Sequence, residues 1–150
     1  MISLHRRNVI GVTFAEAGWG VSWAMVSIFI ISPLFLSRLG ADFFIVSSIP
    51  AALGLAFSFP QLLAGYIALG RARTRGVVIF WHLVCPLSLG VLSALLFTGR
   101  ARIIDGVICI GVFVIIVGFL FPIYSNYLNR VFLPEKRGVA MGIAFGVNNA

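Results

Sequence analysis

The chain has 150 residues, 61% hydrophobic and only 10% charged, with a mean hydropathy of +1.10 and a net charge of +7. A water-soluble domain of this size lacks the interior to hide so much apolar surface, so lipid must be the solvent for most of it. The positive charge does not point to nucleic acid: no basic groove interleaved with aromatics and no free basic helix accompanies it.

His5, Arg6 and Arg7 precede the first apolar stretch, which runs about Val9 to Leu36. It is far longer than the apolar core of a signal peptide and contains Glu16, so it reads as a retained first helix. The second stretch runs about Phe43 to Leu69, the third Val77 to Thr98, and the fourth Ile103 to Leu128. Each reaches the ~20 residues that a helix needs to cross ~30 Å of hydrocarbon. The runs are continuous rather than alternating, which argues against membrane strands. Spans one, two and four exceed the minimum and should tilt, bend or extend past the lipid. Pro50, Pro60 and Pro122 are the expected bend points. A fifth stretch runs from Gly138 to Ala150, and its thirteen residues cover only ~20 Å as a helix. Gly138, Gly142 and Gly146 recur every fourth residue there and form a groove suited to close contact with another helix. The expected fold is therefore an all-α membrane protein. Four complete transmembrane helices and the start of a fifth form one partial N-terminal transmembrane domain over 1–150, and a C-terminal remainder completes it.

Eight of the 11 basic residues fall on one side of these spans: Arg6, Arg7, Arg71, Arg73, Arg75, Arg130, Lys136 and Arg137. Arg38, Arg100 and Arg102 fall on the other. The positive-inside rule then places the N-terminus in the cytoplasm of a multi-pass protein of the plasma membrane. Ser125, Asn126, Asn129 and Arg130 cluster where span four meets that side, placed to cap the helix and meet headgroups. Asp105 lies close to Arg100 and Arg102, as an interfacial ion pair would. Cys85 and Cys109 sit inside apolar stretches without metal-type spacing and read as small packing residues.

Glu16 carries the chemistry that sequence alone can single out. It lies nine residues past Arg7, ~13 Å deep by helical rise. An ionised carboxylate at that depth costs several kcal/mol unless it is paired or wet. Its helical face includes Gly20, Trp23, Ala24 and Ser27, which is small and slightly polar. The functional reading is a proton-coupling carboxylate or a ligand for a cationic substrate; the structural one is a carboxylate hydrogen-bonded within the bundle. Gln61, ten residues before Arg71, and Asn148 and Asn149, eleven and twelve past Arg137, come to similar depths of ~15–17 Å. Trp19 and Trp23 could stack on a ligand, but packing is the commoner role. His82 reads as a packed histidine. No Walker loop, dinucleotide fingerprint, nucleophile elbow or metal-ligand cluster occurs, so neither an ATP-driven pump nor an enzyme is expected, and neither a cofactor nor a metal.

Short loops, a cytoplasmic N-terminus and a basic loop after span two resemble the first half of a major facilitator superfamily transporter. So does Pro134-Glu135-Lys136-Arg137-Gly138 with Gly142, at the place where that family often carries P-x-x-R-G-x-x-x-G between helices four and five. The stretch Phe59 to Tyr66 with Gly65, followed by Gly70-Arg71-Ala72-Arg73, occupies the site of the family's loop signature. Leu69 stands where that signature has aspartate, and Gly111 to Phe121 lacks the helix-four arginine of many drug antiporters. The resemblance implies twelve helices in two six-helix halves, rocking around a midplane site. It also implies a cavity that Glu16, Gln61, Asn148 and Asn149 could line, with Gly65, Arg71, Arg73, Arg75, Arg130, Arg137 and Gly138 as loop and gating residues. The expected function is secondary transport of a small solute, driven by protons or by the solute's own gradient. Two rivals stand beside it: a small four-helix multidrug-type exporter acting as an oligomer, and a non-transporting membrane scaffold.

Overall fold

A computed structural model describes residues 4–25, 31–69 and 75–148. Six helices follow in order: α1 (Leu4–Met25), α2 (Ile31–Arg38), α3 (Phe43–Leu69), α4 (Arg75–Phe97), α5 (Ile103–Val131) and α6 (Pro134–Asn148). No strand occurs among the described residues.

Helices α3, α4 and α5 are long and apolar enough to cross a membrane. Three such helices, not four, are therefore found among the described residues. The first apolar stretch, expected as one span over Val9 to Leu36, appears as α1 and α2, with 26–30 outside the described residues. Helix α1 is diluted by His5, Arg6, Arg7, Asn8 and Glu16, and α2 has only 8 residues. The last helix begins at Pro134 rather than Gly138. Proline at a first helical position forfeits a hydrogen bond that the position lacks anyway, and Glu135 in the first turn complements the helix dipole. Pro50 and Pro60 lie within α3, Pro86 within α4 and Pro122 within α5.

Two tight turns join helices by the same means. Helix α2 ends at Gly40, whose φ of 92° is open to glycine and strained for other residues. The Gly40 N–H donates to Ser37 O at 3.0 Å, and the Ala41 N–H donates to Leu36 O at 3.0 Å, a Schellman closure. Asp42 then caps α3 by accepting the Ile45 N–H at 2.8 Å. Helix α4 ends likewise at Gly99, with a φ of 67° and bonds from Gly99 N–H to Leu96 O and Arg100 N–H to Leu95 O. Asp105 accepts the Arg102 N–H at 2.9 Å, as the third residue of a helix does in a capping box. It also pairs with the Arg102 guanidinium at 3.2 Å, and this hydrogen bond raises the Arg102 pKa above its ordinary value. The ion pair expected of Asp105 is thus made with Arg102. Gly99→Ala should cost about 1–2 kcal/mol, because alanine must enter the left-handed region. Thermal unfolding in detergent checks this against Gly90→Ala, a site with right-handed backbone and open space around it, where stability should hold or rise.

The chain divides into two compact units, Met1–Val26 with Ser125–Ala150, and Ser27–Tyr124. In the second unit α5 is the central element. Half of its apolar window (50%) is buried, against 17% for α4 and 11% for α3. Cys109, Ile110, Phe113, Val114, Val117 and Leu120 form its buried face. Gly118 brings α5 against the α3 backbone at Phe57, and Gly106 receives Leu36 and Phe35 from the α2 side. From α4, Trp81 packs on Phe119 at 5.5 Å and His82 on Tyr124 at 5.4 Å. His82 Nδ1 donates to Val78 O at 2.7 Å, so the histidine is packed and hydrogen-bonded. Cys85 and Cys109 are buried free thiols. The outward faces are apolar: on α4, Ile79, Leu83, Leu87 and Val91 recur every fourth residue and are all exposed. Such a stripe is stable where hydrocarbon covers it.

Candidate functional site

Glu16 lies in the first unit, where α1 and α6 run side by side. The pairing follows from two stripes with a period of four. On α1, Val12 and Glu16 are buried and Gly20 follows them; on α6, Ala140 and Ala144 are buried and Asn148 follows. Residues four apart share a helical face, and small side chains let two backbones approach closely in lipid. At Gly20 the approach is closest: a Cβ there would collide with the backbone of Asn148. At the other end His5 packs edge-on against Phe132 at 6.3 Å, and Asn8 Nδ2 donates to Val131 O at 3.4 Å. Early α1 residues thus meet the segment just before α6 and late ones meet the end of α6, so the two helices are parallel.

Toward the C-terminal end of this pair Asn148 Nδ2 donates to Glu16 Oε2 at 2.7 Å. Glu16 is 2% exposed. Its second oxygen, Oε1, is buried and has no hydrogen-bond partner, and neither has the buried Thr13 Oγ1 three residues earlier on the same helix. The site therefore holds one carboxylate oxygen in place and leaves the other able to accept a proton or a donor group. A buried polar oxygen without a partner is uncommon enough to require an explanation.

The other expected residues divide clearly. Glu16 and Asn148, expected at one depth, are in direct contact. Gln61 belongs to the second unit, and its amide donates to Phe57 O of its own helix at 3.3 Å. Asn149, Arg71 and Arg73 lie outside the described residues, as does Ser27 of the expected Glu16 face. Trp19 is half-buried and Trp23 exposed. Gly65 lies within α3 with open space around it, and Arg75 opens α4 in an exposed position. Arg130 is exposed, while Arg137 is half-buried and donates through Nη2 to Asn129 O at 2.7 Å. The glycine stripe of α6 is not the face that meets α1. Gly138, Gly142 and Gly146 are exposed, with open space where a Cβ would stand. Ala140 and Ala144 are offset from them by two residues, or ~200° around the helix. Gly20 was placed on the Glu16 face from the sequence, but Thr13 and Val12 went unmarked, although Val12 precedes Glu16 by the same spacing of four.

No family model, no curated protein and no solved structure matches the chain.

Proposed function

We propose that the chain belongs to a secondary transporter of the major facilitator type. It moves a small solute across the cell membrane by alternating access, with its N-terminus in the cytoplasm and Glu16 as its coupling carboxylate. The observation that carries this reading is the half-satisfied Glu16: buried, fixed by Asn148 through Oε2, and open at Oε1. Ionisable groups inside membrane helices are costly and mark proton or substrate pathways. A purely structural carboxylate would be expected to have both oxygens satisfied. In the proposed cycle Oε1 takes a proton in one conformation and gives it up in the other, while the Asn148 amide keeps the group oriented. The charge distribution along the loops supports the orientation.

Glu16→Gln in the complete gene product tests the assignment, because glutamine keeps the size and the ability to accept from Asn148 but cannot release a proton. Proteoliposomes containing a trapped pH-sensitive dye are challenged with small solutes. Solute-driven proton movement should fall to the level of protein-free vesicles in the variant, while solute exchange without a gradient continues. Proton movement at the normal ratio to solute in the variant would remove Glu16 from the coupling role.

A further inference from the structure

The fold brings together two basic clusters that stand at opposite ends of the sequence. Arg6 and Arg7 open α1; Arg130, Lys136 and Arg137 surround the junction of α5 and α6. The contacts of His5 with Phe132 and of Asn8 with Val131 place both clusters at one end of the same compact unit. Five cationic residues are carried at that end beside a single acidic one, Glu135, and Arg6, Arg7, Arg130 and Lys136 are exposed. Topology alone requires positive charge on that side, but it does not require these two clusters to converge.

Two further observations point to a ligand. His5 Nδ1 and Arg137 Nε are buried at this end without a hydrogen-bond partner. Exposed apolar side chains also flank the cations: Ile10 one turn beyond Arg6 and Arg7, and Leu133 and Val139 on either side of Lys136 and Arg137. Cations that converge beside exposed hydrocarbon suit a molecule with a phosphate at one end and acyl chains at the other. A free phosphate would make no use of the apolar flank.

We propose that this end of the α1–α6 pair is a specific site for the phosphate headgroup of an anionic phospholipid. Arg7 and Lys136 supply charge from the two chain segments, Arg137 Nε donates from the buried side, and Ile10, Leu133 and Val139 contact the upper acyl chains. The site is separate from Glu16, and its failure would leave the coupling proposal intact.

The test is native mass spectrometry of the purified full-length protein in detergent, titrated with phosphatidylglycerol or with phosphatidylcholine of the same chain length. Phosphatidylglycerol should be retained in clear excess, and added salt should erode that excess. The double variant Arg7→Gln with Lys136→Gln should weaken phosphatidylglycerol retention about 25-fold, taking roughly fivefold for each cation near an anionic headgroup. Arg100→Gln, exposed in the other unit, should change nothing. Equal retention of the two lipids by the unaltered protein, or an equal loss in Arg100→Gln, would overturn the proposal. Displacement of the lipid by millimolar inorganic phosphate would overturn it too, since it would make the site one for the free ion.

Discussion

Gly20→Val will force α1 and α6 apart and lower the stability of the protein more than any other single glycine change in α1. The side chain would enter space occupied by the backbone of Asn148. Backbone cannot rotate out of the way as a flexible side chain can, so one helix must shift. Overpacking of this kind costs about 1–3 kcal/mol. A second loss follows, because Asn148 is also the residue that donates to Glu16. Moving its backbone removes a hydrogen bond to a charged or chargeable group, worth about 1.5–3 kcal/mol, and leaves a buried carboxyl with neither oxygen satisfied. Thermal unfolding in detergent should show a clear drop. Gly18→Ala provides the comparison, since a Cβ at Gly18 meets open space and removes backbone freedom from a helix interior. Equal effects of the two substitutions would mean that α1 and α6 do not approach as described.

Gly118→Val should be comparably damaging in the other unit, for the same steric reason at a different contact. There the added side chain would meet the α3 backbone at Phe57. Helix α5 is the best-buried of the three long apolar helices, so it cannot relieve the clash by moving toward lipid without uncovering Val114, Val117 and Leu120. The Phe57–Phe121 ring contact, at 6.1 Å, lies one turn away and would open with it. The expected cost is again about 1–3 kcal/mol or more, read as lower thermal stability and faster cleavage by added protease. Gly111→Ala, on the same helix with nothing near its Cβ position, should be tolerated. A Gly118→Val protein as stable as the parent would show that α3 and α5 are not in backbone contact.

The sequence made the three long helices legible because a continuous apolar run needs only length to be read as a span. Helix α3 begins and ends as expected, and α4 and α5 differ from expectation by at most a few residues. Relative level along the α1–α6 pair was legible too: counting from the basic residues placed Glu16 and Asn148 at similar heights, and they form a hydrogen bond. Rotation about the helix axis was not. Gln61 was assigned a level by the same count, yet its amide is spent on its own helix. Two stripes of small residues run along α6, and hydropathy ranks glycine and alanine too closely to say which meets α1. The first stretch read as one span because every residue from Val9 to Leu36 except Glu16 is uncharged, which says nothing of continuity.

The turns at Gly40 and Gly99 are closed by bonds reaching no more than six residues back, so each hairpin can form as soon as it leaves the ribosome. The α1–α6 pair is the opposite case: Glu16 and its partner stand 132 positions apart. During synthesis the first helix must wait, its carboxyl unanswered, until nearly everything between has been threaded into the bilayer. Substitutions along that late-closing seam should therefore be felt first as lower yield in the cell, through clearance by quality-control proteases, before they are felt as lower activity.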